Sequence, residues 1–339
     1  PNQTRRQKRG TVPLEFDIPA TIAQLTEGIR DAVRDLGRRG ALVALSGGVD
    51  SSVSAGLCTA ALGPDRVFGL LLPEVANSPD ATTDGRDVAE SLGIEYVTIP
   101  LTDVLSALGC YEQQVAALRR IAPDYQPSWR HKIVRSAPTG GMVILSMEIH
   151  DDAGEVRTVR IPADVYREYI SAQNMKQRVR KLLEYTWAER LGYAVIGTPN
   201  RLEYDQGFFV RSGDGLADLK PIAGLYKSQV FALVRHLGLP EKIATRPPTT
   251  DTFTLPQSQE EYFFGHPHER MDLLLWGRDN DLSPAEVERE TGIAAAVVEA
   301  AYSEIDRRRA GAVYLHAGAI VLEAAVAADP SRDLVAGRA

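Results

Sequence analysis

Apolar and polar positions along the chain fall into short continuous runs separated by longer segments of helical spacing. Leu42-Val43-Ala44-Leu45 is a run of strand length, and Val53 to Leu62 has the small-residue spacing of a packed crossover helix. Ile22 to Leu36 is amphipathic with a helical period, and Val67 to Leu72 reads as a buried strand ending at Pro73-Glu74. Asp80 to Leu92 predicts a helix, and Glu95 to Ile99 a third strand. Such alternation predicts an α/β fold: a Rossmann-like parallel sheet with right-handed crossovers, helices on both faces and ligands at the strand C-terminal ends.

The pattern breaks between about residues 111 and 162, where Pro123, Pro127 and Trp129 precede His131-Lys132. A hairpin is predicted there, from Met142 to His150 and from Glu155 to Ile161, turning at Asp151-Asp152-Ala153-Gly154. This segment reads as an inserted flap that either covers a site or packs on a partner chain. A long helix follows from Ala163 to Leu191, then a buried strand from Tyr193 to Thr198 and a helix from Tyr226 to Leu237, stopped by Gly238 and Pro240. Pro247-Pro248 opens an irregular polar segment reaching about Met271. The remainder is helical, with alanine-rich stretches from Ala294 to Ala301 and from Ala317 to Ala327. The chain thus divides into a flexible basic arm (1–19), a nucleotide domain (20–265) carrying the insertion, and a helical C-terminal region (266–339).

Composition narrows the class. With 44% hydrophobic and 24% charged residues in 339, the chain is that of a soluble globular protein. No apolar run approaches a membrane span, and the basic N-terminus is unlike a signal, so a cytoplasmic location without membrane association is expected. A net charge of −7 argues against a large nucleic-acid footprint. Cys58 and Cys110 offer neither a disulfide framework nor metal-ligand spacing, and Cys58 falls on a helix as a small buried thiol. His266-Pro267-His268 reads as a surface loop rather than a metal pair.

Chemistry concentrates at Ser46-Gly47-Gly48-Val49-Asp50-Ser51-Ser52, where a parallel strand ends and a helix begins. Free N–H groups and the positive end of the helix dipole favour an anion there. Gly47 and Gly48 let the backbone approach a phosphate, and Ser46, Ser51 and Ser52 add hydroxyl donors. Asp50 among phosphate-binding groups would be repelled unless a cation lay between them, which points to Mg²⁺. A second cluster follows the strand ending at Gly197: Thr198, Asn200, Glu203, Gly207-Phe208-Phe209, Gly213-Asp214-Gly215, Asp218, Pro221 and Lys227. In a parallel sheet this strand end can face the same crevice as Ser46 to Ser51.

The first cluster resembles the pyrophosphate loop of N-type ATP pyrophosphatases, a superfamily spanning GMP synthetases, asparagine synthetases, tRNA thiolases and NAD synthetases. The downstream series narrows the resemblance to NAD synthetases: Asn174, Lys176, Arg178 and Arg180, then Gly197-Thr198 and Asn200, Glu203, Gly207-Phe208-Phe209, Gly213-Asp214-Gly215, Asp218, Pro221, Lys227 and Pro248-Thr249. That resemblance implies an ammonia-dependent amide synthetase that adenylates the carboxylate of deamido-NAD with ATP, releasing pyrophosphate, then transfers the acyl group to ammonia, releasing AMP. It implies that Ser46, Gly48, Asp50 and Ser51 hold pyrophosphate and Mg²⁺, with Glu203 as a further metal ligand. Arg178, Thr198 and Lys227 would contact ATP, and Thr249 the reacting phosphate. Asn174, Arg211, Asp214 and Asp218 would serve the acid substrate, with Asp214 binding ammonium. A homodimer is implied, with ammonia drawn from solution or from a separate glutaminase.

Three features depart from the family pattern: the segment from Leu72 to Asp84, the long insertion, and a C-terminus without a His-Lys-Arg tail. Ile305-Asp306-Arg307-Arg308-Arg309 and Tyr314-Leu315-His316 stand near the tail's place and read as a solvated charge run. Amidation of another carboxylic acid and a non-catalytic ATP-binding module are the alternatives; a tRNA-modifying enzyme ranks last.

Overall fold

The computed structural model describes residues 14–136, 144–249 and 253–322. Helix α1 (Ile18–Asp35) starts at Asp17, whose carboxylate accepts the Ala20 N–H at 2.9 Å. Then come β1 (Ala41–Ala44), α2 (Val49–Leu62), β2 (Val67–Leu71), α3 (Pro79–Leu92) and β3 (Glu95–Thr98). After the short helix α4 (Thr102–Ala107) and α5 (Cys110–Arg119) lie three strands, β4 (Arg130–Arg135), β5 (Leu145–His150) and β6 (Val156–Arg160). The long helix α6 (Ala163–Leu191) leads to β7 (Ala194–Ile196), α7 (Arg201–Gln206), α8 (Lys227–His236) and α9 (Glu241–Thr245). Helices α10 (His268–Asp279), α11 (Pro284–Thr291) and α12 (Ala295–His316) complete the described chain. None of the described helices is long and apolar enough to cross a membrane.

The predicted parallel sheet is present, in the order β3-β2-β1-β7, with Leu42 of β1 opposite both Phe68 and Val195. Strands β1, β2 and β7 are buried on both faces, which is why they read as continuous apolar runs, whereas β3 lies at the exposed edge. Ala41, Val43, Ala194 and Ile196 pack with Ile29, Val33, Val53, Leu57 and Val230 from α1, α2 and α8. Leu42, Phe68, Leu70 and Val195 pack the other way, with Leu105, Cys110, Val179 and Ala188 from α4 to α6. From β1 the chain moves outward through β2 and β3, then returns to place β7 on β1's other side. The direction of winding reverses between β1 and β7, and a crevice opens beyond their C-terminal ends.

The insertion holds more than the predicted hairpin. Strands β5 and β6 form it (residues 142 and 143 lie outside the described residues), but β4 pairs on β5 as a third, antiparallel strand. Ile133, Met147 and Ile149 are fully buried against Leu118, Tyr125, Tyr169 and Phe253. The sequence predicts no strand at β4, because Arg130 and Lys132 alternate with its inward residues His131 and Ile133 and leave no apolar run. His131 is accommodated by hydrogen bonds between its ring nitrogens and the hydroxyls of Tyr125, at 2.8 Å, and Tyr169, at 2.7 Å.

The C-terminal helices close a core of Leu202, Tyr226, Met271, Leu274, Val287, Val298 and Ile305. Contrary to the predicted helix from Ala317 to Ala327, Ala317 is extended and residues 317–322 have no regular structure. The Ala317 carbonyl accepts Arg211 Nη2 at 2.9 Å instead of a helical N–H. The rest of that stretch, and most of the basic arm, lie outside the described residues.

Candidate active-site crevice

The crevice at the β1/β7 switch has a volume of about 740 Å³, and both polar clusters line it. Ser46, Gly48, Asp50 and Ser51 reach it from the β1–α2 loop; Thr198 and Glu203 reach it from beyond β7; Lys227 opens α8, and Thr249 and Asp214 lie on the wall. The loop is braced from within. Ser52 Oγ donates to the Gly48 carbonyl at 2.8 Å, and the Ser46 and Ser51 hydroxyls meet at 3.1 Å. Gly47 sits at φ +75°, where a Cβ would lie 2.5 Å from the Ala81 carbonyl, so its hydrogen lets the loop pack on α3.

Lys227 Nζ forms a buried ion pair with Asp50 Oδ2, and Asn200 Nδ2 donates to Asp50 Oδ1 at 3.0 Å. Asn200 also caps α7: its side chain accepts the Glu203 N–H at 3.2 Å, while Glu203 Oε2 accepts the Asn200 N–H at 3.1 Å. Gln259 Nε2 donates to the other oxygen, Oε1, at 2.9 Å. Burial, and then the neighbouring Asp50, push the Glu203 carboxyl up to about 7. Burial opposes the charge on Lys227, but Asp50 and Glu203 outweigh it and hold the ammonium above its ordinary range. Two crowded carboxylates facing one lysine beside a phosphate-type loop form a donor set suited to Mg²⁺. The fully buried Asp272 receives the Lys227 and Ser228 N–H groups at 3.1 and 2.7 Å, anchoring the start of α8.

Asp214 opens onto the crevice, yet the protein around it raises its carboxyl, burial first; Val210 N–H donates to it at 2.8 Å. Arg180 stands nearby and donates to Asn77 Oδ1 at 3.1 Å. The motif Asn174, Lys176, Arg178, Arg180 splits on α6 into two pairs four residues apart. Lys176 and Arg180 turn toward the end of β2, where Lys176 Nζ pairs with the buried Glu74 at 3.0 Å. Asn174 and Arg178 turn toward a second concavity of about 360 Å³, shared with Arg211 and Tyr314.

The structure therefore redistributes several predicted site residues. Ser52 is fully buried and braces the loop instead of facing a ligand, and a side chain at Gly47 would collide with Ala81 and Asp84. Arg178 and Arg211 lie on the second concavity, not beside the loop. Asp218 is structural: its carboxylate accepts Val195 N–H at 2.8 Å and Tyr185 OH at 3.1 Å, closing the edge of β7. The arginine run is not a solvated face. Arg308 lines the crevice with its side chain 9% exposed, bonded to Gln206, Glu304 and the Phe263 carbonyl, while Arg309 joins Asp205 and Asp279. His268 opens α10 rather than a loop, stacked on Phe231 with Glu260 and Glu269 close by. Asn200 stands in the second cluster without an assigned role, although an asparagine three residues before a glutamate signals a helix cap. Sequence reasoning misses Gln259 and Asp272, because their part depends on tertiary contact alone.

Comparisons with known proteins identify the family. A model of the NAD synthase family matches residues 21–125 and 142–309. The chain is 47% identical over 307 residues to an NH(3)-dependent NAD(+) synthetase of Rhizobium meliloti, covering 90% of this chain and 92% of that one. It is 36% identical over 266 residues to an enzyme of the same name from Thermotoga maritima, covering 77% and 89%. Among solved structures, an NMN synthetase from Francisella tularensis has a TM-score of 0.63 at 21% identity, covering 91% and 99%. An NH3-dependent NAD synthetase from Campylobacter jejuni has 0.60 at 20%, covering 91% and 100%. These two likenesses concern the fold.

Proposed function

Because this chain belongs to the NAD synthase family, we propose that it is an ammonia-dependent NAD⁺ synthetase: a ligase that adenylates the deamido-NAD carboxylate with ATP and passes the acyl group to ammonia. The observation that carries this reading is the meeting of Asp50, Glu203 and Lys227 at the phosphate-type loop, from positions far apart in sequence.

The loop's N–H groups and hydroxyls, with Ser46, Gly48 and Ser51 in the lead, cradle the β- and γ-phosphates at the N-terminus of α2. Mg²⁺, held by Asp50 and Glu203, would screen the phosphate charge and ease the departure of pyrophosphate. Lys227 then serves the phosphate oxygens in place of its present carboxylate partner, and Thr198 and Thr249 add hydroxyl donors. A carboxylate oxygen of the substrate bonds to the α-phosphorus as the bond to pyrophosphate breaks. Ammonia then attacks the acyl carbon and AMP leaves with the carboxylate oxygen. Asp214, which opens onto the crevice and whose carboxyl the surrounding protein holds above its ordinary range, binds ammonium and takes up its proton.

We place the acid's far end at the second concavity, where Asn174, Arg178 and Arg211 supply donors. The chain acts as a homodimer in the cytoplasm, fed by free ammonia or by a separate glutaminase. The test is incubation with ATP, Mg²⁺, ammonium and deamido-NAD, alongside a panel of other carboxylic acids. NAD⁺, AMP and pyrophosphate should form in equal amounts with deamido-NAD. AMP release with another acid alone would favour a different amide product, and none with any acid would favour a non-catalytic nucleotide-binding module.

A further inference from the structure

Glu203 is a buried carboxylate whose two oxygens each carry one hydrogen bond from the protein. Oε2 accepts the Asn200 N–H and Oε1 accepts Gln259 Nε2. Each oxygen thus keeps a further acceptor direction. The first bond is local to the α7 cap, but the second comes from 56 residues away. Without it, Oε1 could swing toward the Lys227 ammonium, whose field already reaches Glu203.

The segment that delivers Gln259 is sewn to the insertion. The His131 N–H donates to Thr254 Oγ1 at 2.7 Å, and the Leu255 N–H to the His131 carbonyl at 3.1 Å. Arg130 Nε donates to the Thr254 carbonyl at 3.0 Å, Gln257 Nε2 donates to the Ile133 carbonyl, and Lys132 Nζ pairs with Glu261 at 2.6 Å. These bonds occupy the outer edge of β4, the side away from β5. On the other side of the segment, Gln259 N–H donates to the Pro248 carbonyl at 3.2 Å, beside the Thr249–Ser258 bridge. A single π-helical turn, Glu260–Phe264, follows at once, a distortion frequent at functional sites. The family model passes over residues 126–141, the stretch that contains β4.

We propose that Gln259 is a positioning residue for Glu203, fixing that carboxylate so that it presents itself to the catalytic cation, and that strand β4 holds Gln259 in place. This rests on the reading of the crevice as a Mg²⁺–ATP site and gives the insertion a part in it. Outer-shell partners of metal ligands commonly change metal affinity by roughly 10- to 100-fold when removed.

The experiment compares the full chain with Gln259→Leu and Thr254→Val. Mn²⁺ binding is titrated by electron paramagnetic resonance with α,β-methylene-ATP present, together with the Mg²⁺ dependence of pyrophosphate release and the melting temperature in EDTA. Gln259→Leu should weaken Mn²⁺ binding by about 10-fold or more and raise the half-saturating Mg²⁺ by a similar factor. Turnover at saturating Mg²⁺ should stay within about threefold, because the ligand itself remains. Thr254→Val should shift both in the same direction by less. Unchanged Mn²⁺ affinity in Gln259→Leu, with or without a lower melting temperature, overturns the positioning role. A shift in Gln259→Leu with none in Thr254→Val overturns the part assigned to β4. Wild-type chain that binds no Mn²⁺ beyond that held by free nucleotide overturns both. Wild-type chain that binds Mn²⁺ but releases no pyrophosphate with any acid removes the synthetase reading, while the comparison of Mn²⁺ affinities still decides the role of Gln259.

Discussion

Asp50 and Lys227 stand 177 positions apart and pair in the crevice. Lys227 is 2% exposed, so removing its partner leaves a buried ammonium answered by Glu203 and, more weakly, by Asp272. Asp50→Ala should therefore act twice, lowering turnover by at least roughly 10²-fold and lowering the melting temperature of the ligand-free protein. Asp50→Asn separates the effects: it fills the same space beside Asn200 but supplies no charge to a cation. Amide formation should fall nearly as far as in Asp50→Ala, and near-normal turnover in either variant would remove Asp50 from the mechanism. His131 makes a different prediction. Burial, with Lys176 adding to it, drives its pKa from 6.5 down to about 3, so the native ring stays neutral between the Tyr125 and Tyr169 hydroxyls. Below about pH 6.5 the unfolded chain binds a proton that the native ring refuses, so stability falls as pH falls toward 3. The unfolded ring is half protonated at pH 6.5, so from there to pH 4.5 this one residue should cost about 2 kcal/mol, the slope approaching about 1.4 kcal/mol per unit. His131→Gln, measured by urea unfolding at both values, should show a flatter dependence whatever its absolute stability, and equal slopes would refute the assignment.

At the scale of elements, legibility followed how local each signal was. Strands β1, β2 and β7 were readable because burial on both faces leaves unbroken apolar runs, and the phosphate-type loop because its chemistry is contiguous. Strand β4 was hidden by its outward Arg130 and Lys132, and by the use of a histidine as a core residue. The run Arg307-Arg308-Arg309 misled for the same reason: sequence shows three like charges, whereas α12 turns them in three directions. Arg307 is half-exposed on Glu304, Arg308 is buried in the crevice wall, and Arg309 bridges Asp205 and Asp279. The difference is measurable. Arg308→Met keeps the apolar stem but leaves Gln206, Glu304 and the Phe263 carbonyl short of a donor, and should lose about 3 kcal/mol of stability. Arg307→Met should stay within about 0.5 kcal/mol, as expected of an exposed charge. Equal losses in the two would mean that α12 presents a uniform charged face after all.

For the molecule as a whole, topology explains why one crevice gathers residues from so many segments, but it leaves part of the acid-binding set outside. Arg178 and Arg211 open on the second concavity, bounded by Tyr314, which is 68% exposed. Along the same face of α6, one turn beyond Arg178, Leu182 is 66% exposed. A large exposed apolar side chain one helical turn from Arg178 suits a surface that a second copy of the chain covers, and this is where the proposed homodimer would close over the acid. Leu182→Glu places a charge in that contact without touching the phosphate-type loop. It should shift the sedimentation mass from two chains to one and raise KM for deamido-NAD. Mn²⁺ affinity in the presence of α,β-methylene-ATP should remain that of the unaltered chain, because Asp50, Glu203 and Lys227 all come from one protomer. If Leu182→Glu stays dimeric with an unchanged KM, the partner chain does not cover this face. If instead Mn²⁺ affinity falls with the dimer, the cation site itself depends on the neighbour, and the separation between the crevice and the second concavity does not hold.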